Sequence, residues 1–184
     1  TTHLLVDVGI SGKRTEAGLN TLDISPRDLD GILITHEHAD HIAGLGVLAR
    51  KYEIPIYATK GTIKAIKDCS SVGKVDDELF IELKADSKFT IKDICVNPMK
   101  ISHDAAEPVA YRISHGKKKI GIITDLGNYN DYTVESLKGM DALLLEANHD
   151  VRMLQVGPYP YYLKQRILGD RGHLSNERAG QLLS

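Results

Sequence analysis

The sequence predicts a layered α/β domain whose working residues gather along one edge of its sheets. Three observations predict this. Short apolar runs of strand character alternate with stretches of helical composition along all 184 residues. Five of the strand-like runs lead into an ionisable residue: Asp7, His36, His103, Asp125 and Glu146. In layered α/β proteins such strand ends meet in loops at a shared edge. One of them opens the stretch Thr35-His36-Glu37-His38-Ala39-Asp40-His41, in which four metal-competent side chains fall within six residues.

Composition is that of an ordinary globular domain, with 42% hydrophobic and 26% charged residues. The length suffices for a real core. No apolar run approaches the roughly 20 residues of a membrane-spanning helix, and no secretory pattern opens the chain. Cys69 and Cys95 lack metal or disulfide spacing, which suggests a reducing cytoplasm. The formal net charge of −2 provides no overall basic field for nucleic acid.

Taken in order, Leu4 to Gly9 is a strand ending in a carboxylate and a glycine. Gly12 to Leu22 has helical spacing, with Leu19 and Leu22 on its apolar side and Gly18 weakening it. Ser25-Pro26 breaks the chain. Leu29 to Thr35 is the strand that delivers the histidine loop, and Ile42 to Tyr52 is the helix after it, with Ile42, Leu45, Leu48 and Ala49 on one stripe. Pro55 to Ala58 is a short strand. Thr59 caps a helix through Lys67 whose Ile63 and Ile66 face inward, and Ser70 to Asp77 is loop. A β-rich middle follows, over Leu79–Leu83, Phe89–Ile91, Ile94–Ile101 and Val109–Ser114. His115 to Lys119 reads as a hairpin turn, and Ile120 to Thr124 as a buried strand. Tyr132 to Lys138 is helical in composition, and Ala142 to Leu145 reads as a second buried strand. Pro158 to Tyr162 interrupts the chain before a helix from Leu163 to Leu168. Ser175 or Asn176 caps a last helix from Glu177, with Ala179, Leu182 and Leu183 apolar.

His36 and His38 are two residues apart, so an extended segment points both to one side and they can share an ion. Asp40 and His41 come where the chain turns and can serve a second ion nearby. Imidazoles with a carboxylate suit Zn²⁺, with Mn²⁺ or Fe²⁺ also compatible. His103 and Asp125, each following a strand, would alone be polar caps. The histidine loop makes them candidate ligands.

The loop Thr35–His41, His103 and Asp125 together resemble the metallo-β-lactamase fold hydrolases. The resemblance covers essentially the whole chain. It implies an αββα sandwich with the metal site at the edge of the two sheets. It also implies that His36, His38 and His103 bind one metal, that Asp40 and His41 bind another, and that Asp125 bridges both. Asp7 would hold the histidine loop by hydrogen bonding without touching metal. Flavodiiron-type members carry glutamate where His38 stands, and many true β-lactamases carry cysteine where Asp125 stands. Nucleases of the β-CASP group insert a long domain after the bridging aspartate, whereas 59 residues follow Asp125 here. Leu145-Glu146-Ala147 with Gly172-His173-Leu174-Ser175 resembles the late loops of ribonuclease Z. The whole run Glu146–Asp150, Tyr159-Pro160, Leu163-Lys164, Arg166-Ile167 and Gly172–Asn176 is most similar to the bacterial YycJ/WalJ branch, described as metal-dependent DNA exonucleases.

The family normally has strands before Leu4 and a last histidine ligand beyond the helix that follows Gly172-His173. The resemblance therefore implies one domain over 1–184, incomplete at both ends. Either His173 fills the last ligand position or that ligand lies beyond Ser184. The second is preferred, and it leaves His173 as proton donor or phosphate contact, oriented by Glu146, with His149 a candidate of the same kind.

The implied activity is hydrolysis by a hydroxide activated between two divalent ions, Zn or Mn, with Asp40 orienting it and His173 protonating the leaving oxygen. The expected substrate is nucleic acid, DNA before RNA, with Lys164, Arg166 and Arg171 as the better electrostatic candidates and Lys117, Lys118 and Lys119 as weaker ones. A small-molecule hydrolase of thioesters, lactones or cyclic phosphodiesters would use the same chemistry, because fold alone does not decide. A non-catalytic metal-binding fragment is the third reading. A cytoplasmic protein without membrane association is expected, and no oligomeric state is implied.

Overall fold

The structure is a computed structural model that describes residues 1–184. Two sheets stack face to face. The first has four parallel strands in the order β1 (Leu4–Val6), β2 (Gly31–Leu33), β3 (Ile56–Thr59) and β4 (Phe80–Leu83). The second runs β5 (Phe89–Ile91), β6 (Ile94–Lys100), β7 (Val109–His115), β8 (Lys118–Ile123) and β9 (Ala142–Leu145). Its pairs are antiparallel except β8–β9, which is parallel. The alternation of side chains along each strand builds three apolar layers. Ile32, Ile34, Ile56 and Ala58 face outward from the first sheet onto α1 (Gly12–Asn20), α3 (Leu45–Tyr52) and α4 (Lys60–Asp68). Leu33, Leu83, Ile91, Val96, Val109 and Tyr111 fill the space between the sheets. Met99, Ile101, Ala110 and Ile123 face the opposite way, onto Leu137 of α5 (Asp131–Leu137) and Leu182 of α8 (Asn176–Leu183). This is an αββα sandwich.

Most expected elements form where the sequence places them, with the ends trimmed. Thr59 caps α4 by accepting from the Thr62 amide, and Ser175 caps α8 by accepting from the Arg178 amide. Five expectations are corrected. The single helix over Ile42–Tyr52 is two helices, α2 (Ala39–Ile42) and α3, broken at Gly44. A Cβ on Gly44 would lie 2.3 Å from the Ile10 carbonyl oxygen, so the break lets the β1–α1 loop close onto the histidine loop. Leu22 falls past the end of α1 and is exposed. Leu183 of α8 is likewise exposed. The runs read as buried strands in β8 and β9 are covered on one face only. Leu143 and Leu145 pack inward, while Leu144 is 66% exposed and Ile120 partly so; β9 is the edge strand of its sheet, and only the face that carries Leu143 and Leu145 packs against a core cluster. The turn between β7 and β8 shortens to Gly116-Lys117, with His115 paired to Lys118.

The carboxyl ends of β1, β2, β6, β8 and β9 share one edge. Two contacts fix the sheets there. The Val109 amide donates to the Thr35 carbonyl (3.0 Å), and the fully buried Tyr111 hydroxyl donates to the Ile34 carbonyl (2.6 Å).

Candidate metal centre

β2 ends at Leu33 and passes through Ile34 and Thr35 into the histidine loop, which is threaded under the loop leaving β1. The Val8 amide donates to the His41 carbonyl and the Gly44 amide to the Val8 carbonyl. The contact is so close that a Cβ on Gly9 would stand 1.7 Å from the Asp40 carbonyl oxygen. Asp7 sits beside it with φ of 57°, a left-handed conformation that Asp tolerates better than most residues. Its carboxylate accepts from the Thr35 amide (2.8 Å), the Thr35 hydroxyl (2.7 Å) and His41 Nδ1 (2.8 Å).

These bonds set the imidazole tautomers. The Thr35 hydroxyl is spent on Asp7, so His36 Nδ1–H donates to it (3.0 Å) and Nε2 keeps its lone pair. His41 Nδ1–H donates to Asp7, and its Nε2 faces Asp125 Oδ2. His103 Nδ1–H donates to the Gly172 carbonyl (3.0 Å), which frees its Nε2. The lone pairs converge. His38 turns its Nδ1 inward, 3.0 Å from His36 Nε2 and 3.2 Å from His103 Nε2. Asp125 Oδ2 lies 3.2 Å from His36 Nε2, 3.0 Å from His41 Nε2 and 3.5 Å from His103 Nε2. The ligand atoms of His36, His38, His103 and Asp125 all fall within 4.8 Å of one another. Acceptors facing acceptors at this range repel unless a cation stands among them. The donor set, imidazoles with one carboxylate, is what divalent zinc-like ions take.

The electrostatics agree. Burial pulls His41 toward neutrality, but its bonds to Asp125 and Asp7 more than offset this and raise its pKa to about 10. Burial opposes ionisation of Asp125, yet the adjoining His36 and His41 imidazoles hold its carboxyl far below the usual range. Burial, then the neighbouring His36, push His103 down to about 4, and the same two causes lower His38. His41 is therefore the imidazole that holds a proton where an ion's charge would otherwise sit.

Asp40 lies at the rim. Its Oδ2 is 3.9 Å from His41 Nε2 and its side chain is 83% exposed. Beside the cluster, His173 Nδ1 is 3.0 Å from Glu146 Oε2 and 3.9 Å from Asp125 Oδ1, and its ring centroid is 5.1 Å from that of His103. The bond to Glu146 raises the His173 pKa. The other Glu146 oxygen accepts from the Leu126 and Leu174 amides (2.5 and 3.1 Å), tying the two late loops together. Asp125, Glu146 and His173 form a second group with metal-ligand spacing.

Some candidates are not brought in. His149 pairs by backbone with the Ser175 strand bridge, its Nδ1 meets only Asn148, and it belongs to neither ligand group. Lys117, Lys118 and Lys119 sit at the opposite end of β8 from Asp125, and Lys118 pairs with Asp141 (2.8 Å). Arg171 is spent on the His103 carbonyl. One residue was missed. Asp104 Oδ1 lies 3.5 Å from His103 Nε2 and 3.7 Å from His38 Nε2, and its carboxylate takes both arms of the Arg166 guanidinium. Its only sequence signal was adjacency to His103.

With this geometry established, comparison with known proteins is specific. Residues 2–184 match the model of the beta-lactamase superfamily domain. Exodeoxyribonuclease YycJ of Bacillus anthracis is 47% identical over 177 residues, covering 96% of this chain and 66% of its own length. Exodeoxyribonuclease WalJ of Streptococcus pneumoniae serotype 2 is 43% identical over 180 residues, covering 98% of this chain and 67% of its own. The chain thus spans about two thirds of the length of these curated relatives. The crystal structure of Zn²⁺-bound PqqB from Methylobacterium extorquens superposes with a TM-score of 0.74 at 19% identity, over 94% of this chain and 64% of that one. No helix is long and apolar enough to cross a membrane.

Proposed function

The chain belongs to the beta-lactamase superfamily, and from that premise we propose that it is a metal-dependent nuclease acting on DNA in preference to RNA, in the cytoplasm. The observation that carries this is the convergence of His36, His38, His103 and the Asp125 carboxylate at one sheet edge, with their ligand atoms all within 4.8 Å of one another and His41 beside them. The names of the two curated relatives supply the substrate class. His36, His38 and His103 would hold one divalent ion and Asp40 and His41 a second, with Asp125 shared. Zinc or manganese fits the donors.

When bound, such ions supply Lewis acidity and a water nucleophile available near neutral pH. The chain's residues do the rest. Asp7 and Gly172 hold His41 and His103 in the tautomers that ligate. Asp40, exposed at the rim, accepts a hydrogen bond from the attacking water. His173, held at Nδ1 by Glu146, gives a proton to the leaving oxygen from Nε2. The centre opens to solvent at Asp40, which suits a polymer better than a small ester.

The test is elemental analysis and degradation of an end-labelled DNA strand after chelation and reloading with zinc or manganese. We expect two ions per chain, cleavage restored by reloading, and none from His38→Ala. His173→Ala should keep both ions and lose cleavage. A metal-loaded chain that leaves DNA intact would overturn the reading, and loss of one ion in His173→Ala would make His173 a ligand.

A further inference from the structure

Between β9 and His173 the chain forms two short helices, α6 (Val151–Val156) and α7 (Tyr161–Leu168). They are unusual in what they leave uncovered. α7 buries no residue, and α6 buries only Leu154. Tyr161 and Tyr162 are 76% and 74% exposed, Tyr159 is also exposed, and Met153 and Val156 of α6 lie open beside them. Pro158 and Pro160 bracket Tyr159 and limit its backbone, so the ring is held outward at low entropic cost.

This arm is fastened to the metal centre at one end. The His173 amide donates to the Ile167 carbonyl (3.0 Å), and Arg166 reaches Asp104 beside His38 and His103. Tyr162 is one turn before Arg166, so it shares the helix face that turns toward the centre, about 6 Å farther out along the axis. Its charge also stands apart. From 151 to 171 the chain carries Arg152, Lys164, Arg166 and Arg171 against the single acid Asp170, whereas the whole chain is at −2. Lys164 donates only to the Gln155 carbonyl, so its charge is not neutralised by a carboxylate.

Exposed aromatic rings among cations, leading to a phosphodiester-cleaving centre, are the composition of a single-strand platform. Bases stack on the rings and the backbone tracks the charges. We infer that the α6–α7 arm binds single-stranded nucleic acid, with Tyr162 and Tyr161 stacking the bases next to the nucleotide held at the metal centre. This rests on the nuclease reading and adds to it the form of the substrate, an unpaired strand, and the surface that takes it.

The test separates binding from cleavage. Chelated protein is titrated into a fluorescein-labelled oligothymidylate of about 20 nucleotides, longer than one platform covers, and anisotropy is read at two salt concentrations. We expect Tyr162→Ala and Tyr161→Ala each to weaken binding about 5-fold or more, and Tyr162→Phe, which keeps the ring, to bind within about 2-fold of the parent. The salt slope should fall in Lys164→Ala and not in the tyrosine variants. In metal-loaded protein, Tyr162→Ala should lower kcat/KM for the strand relative to that for bis-p-nitrophenyl phosphate. Equal binding by parent and alanine variants overturns the inference. So does equal weakening by Phe and Ala, or self-association of the chain through this face. Cleavage that ignores the tyrosines would remove the platform and leave the nuclease. Tyrosine-dependent binding without cleavage on any metal would do the reverse.

Discussion

The floor of the centre and the arm beside it are built in opposite ways. On the floor, His36 and His103 are almost fully buried, the tautomers of His36, His41 and His103 are set by Thr35, Asp7 and Gly172, and the loop is locked by backbone bonds through Val8 and Gly44. On the arm, no residue of α7 is buried and the fastening to the centre is one guanidinium–carboxylate pair and one backbone bond. The contrast separates two tasks. Ligands to an ion must be held within fractions of an ångström. A surface that takes a strand of any sequence needs rings and charge, and tolerates looseness.

If that division is right, damage to the floor should far exceed damage to the arm. His38→Ala removes the imidazole that meets both His36 and His103. It should lower metal content and reduce DNA hydrolysis by more than about 100-fold, beyond the loss typical of supporting partners. Asp7→Ala leaves every ligand in place but frees Thr35 and His41. Metal affinity should drop about 10–100-fold, the range for a carboxylate behind a ligating histidine. Competition with a chromophoric chelator reads both. An Asp7→Ala protein with parental affinity would mean the loop holds its own geometry.

The floor was largely legible in the sequence because its residues are local. A strand pattern followed by His-x-His-x-Asp-His states both the side chains and where the backbone delivers them, and His103 and Asp125 each follow a strand of their own. What escaped depends on contacts between distant segments. Nothing in Ile42–Tyr52 announces that Gly44 must meet Ile10. The run Ala142–Leu145 is apolar whether one face or two are covered, and only the sheet order makes β9 an edge. His149 follows a strand just as His103 does, but its chain turns back along Ser175. Asp104 acquires its place only when α7 carries Arg166 across to it.

Acidity distinguishes the regions a second way. His41 has a folded pKa of about 10 against an ordinary value of 6.5. A raised pKa contributes stability that is complete below about 6.5 and lost as pH rises through 10. Asp125 has the opposite sign: depressed when folded, it contributes above the usual carboxylate pKa of about 3.9, and that contribution fades as pH falls. Burial and His36 hold His103 at about 4 when folded, so it favours unfolding as pH falls below about 6.5. Metal-free protein should therefore be most stable near about pH 6.5 and weaken both toward pH 4 and toward pH 10. Bound metal displaces the His41 proton and should remove the alkaline decline. Urea midpoints at pH 6 and 9.5, with and without chelator, check this. A chelated protein equally stable at both values would show that His41 is not protonated.

The smallest effect expected is at the joint between the regions. Arg166 is half exposed and its pair with Asp104 lies near the surface, so its loss should change stability by no more than about 1 kcal/mol. Metal content should hold in Arg166→Ala, because Asp104 stays 3.5 Å from His103 Nε2 and 3.7 Å from His38 Nε2, and His103 is fixed from its other side by the Gly172 carbonyl. What the pair does is aim α7. Without it the tyrosine-bearing end should swing more freely, and kcat/KM for a single strand should fall a few-fold, about 1 kcal/mol, mostly in KM. Were Arg166→Ala instead to lose metal, Asp104 would have to be counted among the residues that position His38 and His103. The arm would then be part of the floor, and the division between a rigid centre and a tolerant surface would have to be drawn on the far side of Arg166, at the tyrosines themselves.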